Sequence, residues 1–247
     1  MTKSKNILEV KNLEFKYEKD SKFSLKDINI KFQESKIYAI LGQNGSGKST
    51  LLNCLSNIIK NYDGEILYNE STDISKLKDK ERAKIISLVP QLNIGNSLSV
   101  YDSVMLGRKP YINISPMMVD HEMTSRAIDL FNLNHLCLKN TNELSGGELQ
   151  SVSIARSFAQ NTPIMLMDEP TNNLDVKKQH ELFTILKKIT KVKHKSIICV
   201  IHDLKLAKNY ADEFIFMKNG KLIKAGSKTI IKTDLIESVF EVPASLI

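Results

Sequence analysis

The sequence predicts an α/β fold: a mainly parallel sheet, an antiparallel β subdomain ahead of it and an inserted α-helical lobe. Three observations carry this expectation. The apolar runs Ile37 to Leu41, Ile85 to Val89, Ile164 to Met167 and Ser196 to Ile201 have the continuous hydrophobicity of strands buried on both faces. Helical patterns alternate with them, which is how parallel strands are joined. Residues 92 to 160 contain no convincing buried strand and read as loop and helices, so they form an insertion.

Taken in order, Leu8 and Val10, then Leu13, Phe15 and Tyr17, alternate in two short runs with a register change at Lys11-Asn12. Ile28, Ile30 and Phe32 alternate again, as antiparallel strands with one solvated face do. A turn at Gln33 to Lys36, without glycine, leads into the strand ending at Leu41. A helix follows to about Lys60, and Asp63-Gly64 turns the chain into a strand to Tyr68. In the insertion, helices are expected over Val100 to Gly107, Asp120 to Phe131 and Gly147 to Gln160. A helix near Lys177 to Ile189 precedes the last buried strand, and a hairpin turning at Asn219-Gly220 joins Phe214 to Lys218 with Leu222 to Ala225. The expected organisation is one domain over 1–247, with a core lobe of 1–91 and 161–247 and a helical lobe of 92–160.

With 42% hydrophobic and 26% charged residues the chain has the composition of a soluble globular protein, and no apolar run approaches a membrane span. The first residues are polar and basic, unlike a signal peptide. Cys54, Cys137 and Cys199 are odd in number, far apart and in apolar surroundings, so they read as buried free thiols. The net charge of +7 comes almost wholly from scattered lysines, with no tryptophan, which argues against a nucleic-acid partner. It reads as a solvated surface with some attraction to an anionic membrane face.

The chemistry centres on Gly42, Gln43, Asn44, Gly45, Ser46, Gly47, Lys48, Ser49 and Thr50, between a strand and a helix. Glycines let backbone N–H groups close around an anion, and the helix N-terminus adds unpaired donors and partial positive charge. Lys48 supplies a cation for terminal phosphates and Ser49 a magnesium ligand. Ligands of open parallel sheets bind beyond the carboxyl ends of the strands. Here each buried strand ends in polar groups: this loop after Leu41, Gln91 after Val89, Asp168-Glu169 after Met167, and His202 after Ile201. Asp168 suits a magnesium site with Ser49, and Gln91 can hold the metal or a water. Glu169 can polarise an attacking water, and His202 can donate to a terminal phosphate oxygen. Leu144 is followed by Ser145, Gly146, Gly147 and Glu148, a second glycine-rich approach to a helix, with Ser145 at the N-cap position.

These motifs, LSGGE above all, together resemble the ATP-binding subunit of ABC transporters over essentially the whole chain. The resemblance implies a P-loop NTPase (RecA-like) core, ATP and Mg²⁺ as ligands, and ATP hydrolysis that powers a membrane permease. It implies a head-to-tail homodimer with two ATP, each between one phosphate loop and the partner's signature. Tyr17 matches the aromatic residue that stacks on adenine, Thr171 to Asp175 the loop crossing the dimer interface, and Glu169 the catalytic carboxylate. Ser151 stands where the family usually has arginine or lysine, and Leu149 replaces a common polar residue. LGRKPY, Leu106 to Tyr111, and LIESVFEV, Leu235 to Val242, are similar to importers for iron siderophores, haem and cobalamin. An importer of that group implies an extracytoplasmic substrate-binding protein and a place at the cytoplasmic face of the cell membrane. A helix breaking at Gly107 and Pro110 is expected to present Arg108 and Lys109 at a groove edge for the permease. The alternatives are an exporter subunit, or a soluble relative acting on ribosomes or DNA.

Overall fold

A computed structural model describes residues 5–18 and 24–246, and the chain divides into two compact units, 1–77 with 186–247, and 78–185. The first unit opens with β1 (Asn6–Lys16), β2 (Ser24–Gln33), β3 (Ile37–Leu41), α1 (Lys48–Leu55), β4 (Asp63–Tyr68) and the two-residue β5 (Thr72–Asp73). In chain order there follow α2 (Asp79–Arg82), β6 (Ile86–Val89), α3 (Val100–Met105), α4 (Met118–Leu130), α5 (Gly146–Ala159), β7 (Ile164–Asp168) and α6 (Val176–Lys193). The chain ends with β8 (Ser196–Val200), α7 (Leu204–Tyr210), β9 (Glu213–Lys218), β10 (Lys221–Ser227) and α8 (Thr233–Phe240).

In the first unit, β1, β2, β4 and β5 form an antiparallel sheet in the order β2-β1-β4-β5. The register change expected in β1 is a bulge. Asn12 turns to φ 48°, its N–H donates to Asn29 Oδ1 at 2.9 Å, and the pairing slips between Val10 and Leu13. The slip keeps Val10, Leu13 and Phe15 buried. Strand β3 pairs parallel with both β8 and β9, and β9 closes antiparallel on β10. Every residue of β3 and β8 is buried, which is why their sequences lack alternation. The turn before β3 does without glycine because Ser35 takes φ 60°. Helix α1 stops five residues earlier than expected, since Asn57 adopts φ 59° just beyond its end.

In the second unit β6 and β7 are parallel neighbours, Val89 opposite Met167. Helices α3, α4 and α5 bury Val100, Val104, Ala127, Ile128, Val152, Ile154 and Phe158. The Phe131 and Phe158 rings meet edge to face at 6.0 Å. Between Leu92 and Gln160 the described chain has no strand beyond one isolated bridge, Ser99 to Asn140, as expected. Helix α3 passes into a 3₁₀ turn at Leu106–Arg108.

That turn overturns one expectation. Arg108 does not stand at a groove edge; it is only 5% exposed. Its Nε donates to Asp120 Oδ1 at 3.0 Å, its Nη1 donates to the Ala159 carbonyl at 2.9 Å, and its guanidinium lies 4.0 Å from the centre of the Tyr111 ring. A planar cation with a carboxylate, a carbonyl and a ring around it has its charge paired and its burial compensated inside the protein. Lys109 alone is exposed. The cysteine reading needs a smaller correction. All three thiols are free and Cys54 and Cys199 are buried, but Cys137 is half-buried.

Candidate functional site

The nine residues from Gly42 to Thr50 span the turn after β3 and the first three residues of α1 in the first unit. Gly47 caps α1 with φ 104°, a left-handed turn that a side chain would resist, and no side chain caps the helix. The first turn of α1 carries no acidic residue, so its N–H groups and partial positive charge face the loop unopposed. Lys48 is 4% exposed, and its Nζ donates to the Gly42 and Gln43 carbonyls at 2.9 Å each. The Ser46 hydroxyl is buried with no hydrogen-bond partner in the structure. A buried, unpartnered hydroxyl just ahead of a helix N-terminus is what an anion's oxygen would satisfy. Ser49, the second residue of α1, is half-buried.

Two further expected residues stand with this loop. Tyr17 is exposed, its ring edge-on to Phe15 at 4.7 Å and its hydroxyl 3.2 Å from Thr50 Oγ1. His202 follows β8, whose Val200 lies opposite Ile40 of β3, so His202 and the loop occupy the same carboxyl edge. Asp203 beside it accepts from Lys205 N and Leu206 N and caps α7. The loop is tied to the chain's far end, since Gln43 Nε2 donates to the Phe240 carbonyl of α8 at 2.6 Å.

The second unit gathers the carboxylates. Asp168 ends β7 and is buried; Glu169 follows it with φ 49°, a backbone state that costs a non-glycine residue energy. Glu169 Oε2 accepts from Gln91 Nε2 at 2.9 Å and from Asn172 Nδ2 at 2.6 Å. Two neutral amides thus aim one carboxylate. The parallel pairing of β6 and β7 puts Gln91 and Glu169 beyond neighbouring strand ends.

Ser145 caps α5 with a reciprocal pair of bonds. Its N–H and hydroxyl donate to Glu148 Oε2 at 2.8 and 2.7 Å, and its Oγ accepts from Glu148 N at 3.4 Å. The Ser145 hydroxyl and N–H hold the Glu148 carboxyl below the ordinary carboxylate range. The glycines after Ser145 serve a second purpose besides opening the backbone. A Cβ on Gly147 would lie 2.9 Å from the Asn173 carbonyl oxygen, so the Thr171 to Asp175 loop packs directly on the start of α5. Ser151 turns its hydroxyl back to the Gly147 carbonyl at 2.9 Å. It lines a cleft of about 750 Å³ with Phe131, Leu136, Ile154 and Leu182.

Residue spacing did not reveal Gln150. It is buried, accepts from Asn93 Nδ2 at 2.6 Å and donates to the Pro170 carbonyl at 3.3 Å. It thereby joins the segment after Gln91, helix α5 and the loop after Glu169. Asn172, the second amide on Glu169, was legible only as part of a loop. A groove of about 250 Å³ runs alongside, lined by Leu92, Ile94, Leu149, Val152, Ser153 and Arg156 among others. Among the described residues no three His, Cys, Asp or Glu side chains cluster as a metal centre, and no helix is long and apolar enough to cross a membrane.

The family model for the ABC transporter matches residues 25–172. An uncharacterised ABC transporter ATP-binding protein of Methanocaldococcus jannaschii is 43% identical over 96% of this chain and 92% of its own length. The petrobactin import ATP-binding protein of Bacillus subtilis is 35% identical over 95% of this chain and 93% of its own. A phosphonates import ATP-binding protein of Fusobacterium nucleatum is 34% identical over 95% and 98%. Among solved structures, a transporter described as of metal-chelate type, in an inward-facing conformation, superposes with a TM-score of 0.83 at 29% identity, covering 96% of this chain and 90% of that one. A dimeric ATP-binding cassette in a post-hydrolysis state, bound to ADP and Pi, superposes with a TM-score of 0.79 at 28% identity, covering 90% and 98%.

Proposed function

The chain belongs to the ABC transporter family as an ATP-binding subunit that couples ATP hydrolysis to transport, and from that premise we propose that it drives an importer of iron chelates. Siderophore complexes come first as cargo, haem and cobalamin second. The α/β fold with its mostly parallel sheet, antiparallel β subdomain and helical lobe is that of the family's cassettes, which bind ATP, dimerise and assemble with permeases. The observation that carries the site is the phosphate loop, where a buried lysine rests on two neutral carbonyls beside an unsatisfied serine hydroxyl.

In this reading the ATP phosphates lie in the Gly42 to Thr50 loop, and Lys48 exchanges its two carbonyls for phosphate oxygens. Tyr17 stacks on the adenine. Ser49, Asp168 and Gln91 offer a hydroxyl, a carboxylate and an amide oxygen, the hard donors that suit Mg²⁺ while leaving positions for phosphate and water. When bound, that ion neutralises phosphate charge. Glu169, aimed by Gln91 and Asn172, takes the proton of the attacking water, and His202 donates to the terminal phosphate. Ser145, Gly146, Gly147 and Glu148 act on the ATP of a second, head-to-tail copy, with Thr171 to Asp175 crossing between the copies.

The permease docks at the groove of Leu92, Ile94, Leu149 and Arg156 rather than on Arg108, which the Asp120 pair holds inside. An extracytoplasmic binding protein delivers the cargo, and this subunit works at the cytoplasmic face. The relatives named for phosphonates and for petrobactin are nearly equal in identity, so identity alone does not choose the cargo. The metal-chelate structure and the LGRKPY and LIESVFEV runs favour iron chelates.

The test is uptake. Deleting the gene should abolish import of siderophore-bound iron, and the parent chain, but not Glu169→Gln, should restore it. Undiminished uptake of siderophore iron, haem and cobalamin in the deletion strain rejects the cargo. Hydrolysis by purified Glu169→Gln at the parent rate rejects the catalytic role, where a positioned base is worth roughly 10²–10⁴-fold.

A further inference from the structure

From the buried Arg108 into the first turn of helix α4, the chain exposes an unusual run of large apolar side chains. Ile114 is 99% exposed, Met117 71%, Met118 79% and Val119 52%. Scattered exposed apolar residues need no explanation, but four within six positions do.

The run is held at both ends by one buried ion pair. At its start the Tyr111 N–H donates to the Arg108 carbonyl at 2.8 Å, and the Tyr111 ring lies over the Arg108 guanidinium. At its end the Met117 N–H donates to Asp120 Oδ2 at 2.9 Å, while Asp120 Oδ1 accepts from Arg108. The apolar tip is therefore carried on a fixed base, and less ordering entropy is lost when it binds.

Lysines surround it. Lys109 is exposed at the base, Lys80 Nζ donates to Asn113 Oδ1 at 2.8 Å, and Lys84 Nζ stands 5.4 Å from the Tyr111 ring centre. The acidic side chains of the flanking segments are engaged locally: Asp79 with Arg82, Glu81 with the Lys78 N–H at 3.3 Å, and Glu122 with Arg126 at 3.5 Å.

We propose that the segment from Tyr111 to Val119, a loop and the first residues of α4, is a lipid-contacting tip, which sets Ile114, Met117, Met118 and Val119 into the interface of an anionic membrane while Lys80, Lys84 and Lys109 meet the headgroups. The pattern of exposure favours lipid over a protein groove. Met117, Met118 and Val119 are consecutive, so they point in different directions and present no single face for a complementary surface. A fluid apolar medium accepts side chains from every direction, and methionine adapts to it readily. The lysine collar supplies the charge complement to anionic headgroups. This goes beyond driving import, and its test needs neither cargo nor ATP hydrolysis, so it can fail while the transport reading stands.

The full-length chain is sedimented with vesicles of phosphatidylglycerol and phosphatidylethanolamine, and with vesicles of phosphatidylcholine. It should bind the anionic vesicles, and Ile114→Ser with Met118→Ser should cut that binding about tenfold or more with an unchanged melting temperature, since both side chains are in solvent. Neutralising Lys80, Lys84 and Lys109 to glutamine should weaken it about fivefold per residue. The proposal is overturned if neither vesicle is bound, or if the serine double variant binds as the parent does, which would mean charge alone. Binding that appears only when vesicles carry a permease overturns it in favour of a protein partner.

Discussion

Lys48 and Arg108 are equally buried cations in different units, and the hydrogen bonds described for them differ in kind. Lys48 donates to two neutral carbonyls five and six residues away, inside its own loop. Arg108 reaches a carboxylate 12 residues away, a carbonyl 51 residues away and an aromatic ring. Carbonyls of a glycine loop are weak, replaceable acceptors, so the lysine can give them up to a phosphate. A buried carboxylate is a permanent partner, because separating the pair leaves a charge without compensation. Burial and charge alone do not separate a cation proposed to meet a ligand from a structural one; the kind of acceptor around it is the added signal.

The sharpest way to break this contrast is Arg108→Ala. It strands Asp120 in the interior and should cost about 3–5 kcal/mol of folding stability, read from denaturant unfolding. Arg108→Lys should recover only part, since an ammonium cannot make both bonds and cover the Tyr111 ring. Unfolding within 1 kcal/mol of the parent would deny Arg108 its structural role. Lys48→Ala comes next and acts on the other readout. Losing charge-assisted bonds worth about 1.5–3 kcal/mol should weaken ATP binding roughly tenfold to a hundredfold with little change in unfolding. If ATP affinity held and stability fell instead, the two cations would have exchanged roles.

The same contrast explains what the sequence revealed. The Gly42 to Thr50 stretch was legible as a candidate phosphate site because the chemistry proposed for it lies in nine consecutive residues between a strand and a helix. The four strand ends were legible because continuous apolar runs mark buried strands, and polar groups directly follow them. Arg108 was misjudged because glycine and proline around it read as a helix end at the surface, while Asp120 and Ala159 come from other helices. Gln150 was missed for the same reason: Asn93 lies 57 positions away and the Pro170 carbonyl 20. Helix α8 was seen only as a family-like ending, and its bond to Gln43 spans 197 positions. Local backbone chemistry can be read from residue order, whereas pairings made by tertiary packing cannot.

Gln150 allows a test of intermediate size. Gln150→Leu keeps the bulk but removes the bonds to the Asn93 amide and the Pro170 carbonyl, at a cost on the order of 1 kcal/mol. Because it links the segments carrying Gln91 and Glu169, ATP turnover should fall further than stability does. A loss of turnover no larger than the loss of folded protein would reduce Gln150 to packing.

The smallest effect belongs to Glu148, where a cap and a proposed ligand contact coincide. Its carboxylate accepts from the Ser145 N–H and hydroxyl, and those bonds hold its pKa below the ordinary range. A carboxyl with a depressed folded-state pKa contributes stability that is full above its unfolded value and is lost as pH falls through the folded value. The group is half-buried and water screens it, so its share is about 0.5 kcal/mol at neutral pH. Glu148→Gln keeps one acceptor oxygen but removes the charge near the start of α5. The parent should therefore melt slightly above Glu148→Gln at pH 7, and the gap should close as pH drops through the carboxylate range. Melting curves of both proteins from pH 7 to pH 3 measure this. A gap that stays constant across that range would mean the cap works through shape and hydrogen bonding alone, with no contribution from the charge.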